Sequence, residues 1–77
     1  MGKIIIRKLN ILKEPKGVID FSNPVEVEIE ANSIINILEY KIPKKGSICQ
    51  IIFKDKTFMF ADEEFDYLTQ KYFQYKG

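Results

Sequence analysis

The sequence predicts an α+β fold: a small antiparallel β-sheet of about five or six short strands in a meander, with one C-terminal α-helix packed on it. Two apolar runs, Ile34 to Tyr40 and Ile48 to Phe53, carry this reading. They are rich in Ile, Phe and Tyr, and Pro43-Lys44-Lys45-Gly46 lies between them as a hairpin turn lies between strands. In Val25 to Ala31, Val and Ile alternate with Glu26, Glu28 and Glu30, the period of a strand with one wet face. Near the C-terminus, Phe65, Leu68, Thr69 and Tyr72 recur at helical spacing.

Taken in order, residues 3–12 fit a helix face or an alternating strand, and the β-branched Ile4, Ile5 and Ile6 favour the strand. Glu14-Pro15-Lys16-Gly17 is a turn, because Pro presets φ and Gly permits a positive one. Val18 to Phe21 then completes a first hairpin, and Ser22-Asn23-Pro24 breaks that strand. Val25 to Ala31 follows as a separate strand with a firm register, since a slip of one residue buries three carboxylates. Asn32-Ser33 is a bend. Residues 34–42 also fit a helix capped by Ser33, but Ile34, Ile35, Ile37 and the turn behind them favour a strand. Ile48 to Phe53 and Thr57 to Phe60 end the meander. Asp62 is the expected N-cap of a helix from Glu63 to about Gln74. Glu63, Glu64 and Asp66 would face the positive end of its dipole, and Lys71 and Lys76 lie towards the negative end.

The 77 residues make a single small globular domain, 1–77, without repeats or linkers. Such a chain buries only about 60% of its unfolded surface, so its core is thin. Cys49 has no second cysteine to pair with, which excludes an internal disulfide and favours a reducing, cytoplasmic setting. The apolar start is too short for a signal-peptide core. A myristoylation-like Gly2 fails because Ile6 stands where Ser or Thr is needed. No run is long enough to span a bilayer, so no membrane partner is expected.

There is no histidine, which removes the commonest general base and metal ligand and every Ser-His or Cys-His arrangement. The four glycines are scattered, so there is no phosphate-binding loop. Cys49 sits in an apolar run and reads as a buried structural thiol rather than a nucleophile. The acidic cluster Asp62, Glu63, Glu64, Asp66 lacks the spacing of a calcium loop, and a helix start explains it. The sequence thus predicts no catalytic residues, no cofactor and no metal, and a protein that is not an enzyme.

Two sets of residues remain as binding candidates. The first suits a protein partner: the row Glu26, Glu28 and Glu30, together with Tyr67, off the helix stripe, and Tyr75 near its end. The second suits nucleic acid: Lys41, Lys44, Lys45, Lys54 and Lys56, in or beside two turns of the meander. Charge is blocky around a net of +1: residues 18–40 hold five acidic and no basic side chains, and residues 41–57 hold five basic and one acidic. Lysines in turns also serve solubility and block strand aggregation, and the chain has one arginine, the residue favoured for gripping phosphates. Whether the two lysine turns share one end of the sheet depends on strand order.

An Asn-x-Ile-x-x-Ile stretch (Asn32, Ile34, Ile37), the strand end Phe53-Lys54-Asp55-Lys56, Phe58-x-Phe60 and an acidic helix start with Leu68 are similar to small bacterial flagellar regulators of the FlbD type. The pattern also resembles part of a LytTR DNA-binding domain. It covers about half the chain, and any strand–hairpin–strand–helix unit produces it, so no residue role is carried over. The expectation is a non-enzymatic protein–protein interaction module, a small regulator or inhibitor acting by surface binding. The alternative is a small nucleic-acid-binding regulatory domain. A thin core and open sheet edges are compatible with a homodimer in either case.

Overall fold

The computed structural model describes residues 2–14 and 16–76. Among them run strands β1 Lys3–Ile11, β2 Ile19–Glu30, β3 Ile34–Ile42, β4 Gly46–Phe53 and β5 Phe58–Ala61, then helix α1 Phe65–Tyr75. All strand pairs are antiparallel, in the order β2-β1-β5-β4-β3. The meander β3-β4-β5 thus closes onto the first hairpin through β1. Both ambiguous segments, 3–12 and 34–42, form strands, the first as far as Ile11. In the turn between β1 and β2, Pro15 lies outside the described residues, and Gly17 takes the positive φ expected of it, 85°.

The two edge strands, β2 and β3, are joined by one short 3-10 turn, Ala31–Ser33. In a flat five-stranded sheet, at about 4.8 Å per strand, the edges lie roughly 19 Å apart. The four Cα steps from Glu30 to Ile34 reach at most about 14 Å, and a 3-10 turn reaches less. The sheet must therefore coil until these strand ends meet. Hydrogen bonds hold the junction. Ala31 N–H donates to the Gly2 carbonyl at 2.8 Å, and Lys54 N–H donates to the Ser33 carbonyl at 2.8 Å. Ser33 Oγ donates to the Glu30 carbonyl at 2.6 Å.

Coiling buries apolar groups on both faces. One face carries Ile4, Ile6, Ile29, Ala31, Ile34, Ile37, Cys49, Ile51 and Ala61 around Leu68 of α1. The other carries Leu9, Ile48 and Phe60, with Ile19, Phe21 and Ile42 against them. This explains the near-continuous apolar run of β4, where Ile48 and Cys49 face opposite ways and are both buried.

α1 lies as its stripe predicts: Leu68 is fully buried, Phe65 and Tyr72 pack at the core margin, and Tyr72 Oη donates to the Ile34 carbonyl at 3.4 Å. Gly2 lets its far end approach β1. A Cβ on Gly2 would collide with the Tyr75 carbonyl oxygen, so any side chain there meets backbone that cannot give way.

Three local expectations change. Ser22-Asn23-Pro24 does not end a strand. It lies in a bulge within one continuous β2: Lys8 pairs Val25 and Asn10 pairs Asp20, leaving four residues opposite Leu9. The Asp20 carboxylate accepts from Ser22 Oγ at 2.6 Å and Ser22 N–H at 3.0 Å, which holds its pKa below the usual range. Asp62 is not the helix cap. The helix begins after Glu64, and Asp62 N–H instead donates to the Arg7 carbonyl, extending the β1–β5 ladder. Of the acidic residues, Asp66 alone lies in the first turn, and no basic residue lies in the last.

Two turns place lysine in left-handed backbone, Lys44 at φ 68° and Lys56 at φ 72°. Lys44 follows Pro43 in the β3–β4 turn, and Lys56 N–H donates to the Phe53 carbonyl in the β4–β5 turn. A non-glycine residue costs about 1–2 kcal/mol in this region, partly offset by the entropy a glycine loses on folding. Lys56→Gly should therefore raise stability by about 0.5–1 kcal/mol in urea unfolding. Leu68→Ala should lower it by roughly 2–5 kcal/mol, because it empties the one buried side chain of α1.

Candidate interaction surfaces

Alternation places the glutamate row. Val27 and Ile29 of β2 join the helix-side core, so Glu26, Glu28 and Glu30 project from the other face, and all three are exposed. On β1 they face Arg7, Ile5 and Lys3. Lys3 Nζ lies 3.5 Å from Glu28 Oε1, with both side chains more than half exposed, so the pair adds little stability.

Tyr67 and Tyr75 stand two helical turns apart on α1, with Lys71 between them. Lys71 Nζ lies 5.7 Å from one ring centre and 5.6 Å from the other. On β1, β5 pairs only with Lys8 and Leu9 among the described residues, so the first half of β1 has the helix beside it rather than a strand. Lys3, Ile4, Ile5, Tyr67, Lys71 and Tyr75 line the resulting notch of about 240 Å³. Lys3 touches both sets, through its ion pair with Glu28 and through the notch wall. The fold therefore brings the glutamate row and the two tyrosines into one continuous surface, with Ile5 56% exposed on it. Sequence reasoning missed Lys3, Ile5 and Lys71. Lys3 and Arg7, which flank Ile5 at strand spacing, were the available signal, but only the short reach of β5 uncovers it.

The five turn lysines do not converge. Lys41, Lys44 and Lys45 lie at the start of β4, and Lys54 and Lys56 lie at its end. The eight residues of β4 separate the two groups by roughly 25 Å. Lys45 Nζ sits 4.7 Å from the centre of the Phe21 ring. Arg7 does not join either group, because Glu63 takes its side chain.

Glu63 serves the sheet rather than the helix dipole. Its carboxylate accepts from Arg7 N–H at 3.1 Å and Arg7 Nε at 3.5 Å, continuing β1's hydrogen bonding where β5 ends. Glu64 and Asp66 instead line a depression with Glu39, Ser47 and Phe65. Among the described residues, no three acidic or cysteine side chains come close enough together to hold a metal ion. Cys49 is fully buried, and its Sγ donates to the Glu63 carbonyl at 3.3 Å. Burial, and then the charges of Glu63 and Glu39, push the thiol up to about 11.

No helix among the described residues is long and apolar enough to cross a membrane. No protein-family model, curated protein or solved structure matches the chain.

Above the ordinary thiol pKa the unfolded chain loses the Cys49 proton first, so the folded state holds more protons and stability falls as pH rises. The loss should develop between pH 9.0 and about 11. The measurement is the difference between wild type and Cys49→Ala in urea unfolding at pH 8, 9.5 and 11, which cancels whatever the two proteins share. The difference between the two should shrink as pH rises.

Proposed function

We propose that this protein is a non-enzymatic protein-binding module, a small regulator or inhibitor that works by covering a surface of another protein. One observation carries the reading: Glu28 and Glu30 stand across from the exposed Ile5 and Lys3, which wall one notch with Tyr67 and Tyr75, and Glu26 continues the row opposite Arg7. Tyrosine and isoleucine supply apolar area at low ordering cost, and the glutamates steer a basic partner. The notch gives a partner side chain a place to anchor. A buried, unpaired Cys49 suits a reducing compartment, which supports a cytoplasmic setting.

A second reading, nucleic-acid binding, has one observation in its favour. Lys44 and Lys56 hold strained backbone where glycine would be easier, and strain kept at a turn often marks a functional contact. Against it, the two groups lie at opposite ends of β4 rather than on one patch.

One capture experiment separates the two. The tagged protein, Glu28→Lys with Tyr67→Ala and Tyr75→Ala, and Lys44→Glu with Lys45→Glu are each used as bait in host lysate, with and without nuclease. A specific protein should survive nuclease treatment and fall at least tenfold with the first variant only. Loss of every retained protein after nuclease, with binding that collapses in salt and with the lysine variant, would favour the second reading.

A further inference from the structure

The two sheet edges are treated differently. β2 carries a bulge at residues 21–24, Pro24 and three glutamates, the usual devices against strand addition. β3 has neither a bulge nor a proline over Ile37 to Ile42, its two charges there, Glu39 and Lys41, are of opposite sign, and Leu38 and Tyr40 are 40% and 44% exposed.

The pairing of β3 with β4 fixes which main-chain groups this edge presents. Lys45 N–H donates to the Ile42 carbonyl and Ile42 pairs with Gly46, so Ile42 points its main-chain groups at β4. Period two then turns the N–H and C=O of Lys41, Glu39 and Ile37 outward. Ile37 N–H is already engaged, donating to Asn36 Oδ1 at 2.9 Å. Pro43, next in the outward series, has no N–H. The edge is therefore bounded at both ends, with Glu39 and Lys41 as its central donors and acceptors.

We propose that β3 pairs antiparallel with β3 of a second copy, on a two-fold axis through Tyr40. Charge selects this register. With the axis at Tyr40, Glu39 faces Lys41 of the other copy, twice, and four main-chain hydrogen bonds form between them. Centring the pair on Glu39 sets carboxylate against carboxylate, and centring it on Lys41 sets ammonium against ammonium. Glu64 and Asp66 line the same depression as Glu39, so the incoming Lys41 enters a negative setting. On the other face, Leu38 meets Ile42 of the second copy and Tyr40 meets its own image. The Tyr40 ring already stands edge-on to Phe60 at 5.3 Å, which leaves its outer side for that contact. The pairing makes one ten-stranded sheet and leaves the Glu28–Tyr67–Tyr75 surface of each copy free, so it is independent of the function proposed above.

Analytical ultracentrifugation tests it. Wild type should be a dimer that dissociates on dilution. Glu39→Lys and Lys41→Glu should each weaken dimerisation at least tenfold. An equimolar mixture of the two should recover it, because in the mixed dimer positions 39 and 41 again set opposite charges against each other at both contacts. The double exchange in one chain should recover it for the same reason. Recovery also shows that each variant is folded. Cross-linking checks the axis. Tyr40→Cys should give a covalent dimer on mild oxidation, since an opposed non-hydrogen-bonded pair brings the Cα atoms to about 4.5 Å. Leu38→Cys should not. A wild-type monomer at millimolar concentration, single variants that dimerise as wild type does, or equal cross-linking through Leu38→Cys would each overturn the proposal. A failed dimer with intact partner capture by Glu39→Lys leaves the proposed function standing, and the reverse result separates the two as cleanly.

Discussion

The fold depends on a short connection. Ala31–Ser33 joins the two outermost strands of a five-stranded sheet, and three residues cannot bridge a flat one. Coiling is the geometric consequence, and the other features follow from it. The coiled sheet encloses apolar side chains on two sides instead of one. The turn is tied to the chain before β1 and to the chain after β4, so both ends of the sheet are locked by the same few hydrogen bonds. The helix then fills the side on which Ile29, Ala31 and Ile34 converge. For a chain of this size, drawing core from both faces of one sheet offsets the poor ratio of volume to surface.

The same geometry sets what is left for binding. β5 is only four residues long, so it pairs with the middle of β1 and stops. Glu63 takes over at the point where it ends, meeting the Arg7 N–H that a longer strand would have met. Beyond Arg7 the first half of β1 lies beside α1, and the notch between them gathers two lysines, two tyrosines and an exposed isoleucine. The surface is thus a by-product of strand length and helix placement. Its members come from residues 3 to 5 and 67 to 75, with the glutamates of β2 alongside.

Much of the fold was legible. Period two in Val25 to Ala31, the β-branched run of Ile34 to Ile37 and the turn at Pro43 all specify strands locally, and each strand formed. The helix stripe was legible too, with Leu68 at its centre. The misreadings share a cause. Ser22-Asn23-Pro24 is a strand breaker by composition, yet the ladder to β1 continues on both sides and absorbs it as a bulge. Asp62 is a good cap by type, but its N–H is claimed by Arg7, far away in sequence, and the helix starts later. In each case a long-range hydrogen bond outweighed a local preference.

By itself the sequence determined the class of fold and the approximate place of most of its strands and of its helix, because composition and periodicity act over a few neighbouring residues. Tertiary structure alone decided which pieces meet. The two lysine turns, one before β4 and one after it, lie at its opposite ends by chain connection, whereas strand order left β2 and β3 as the edges. It also carried Lys3 to Glu28 and to the tyrosines of α1, contacts between residues distant in the chain. Such contacts arise from how the coiled sheet closes, a property of the whole ladder that no local stretch of residues encodes.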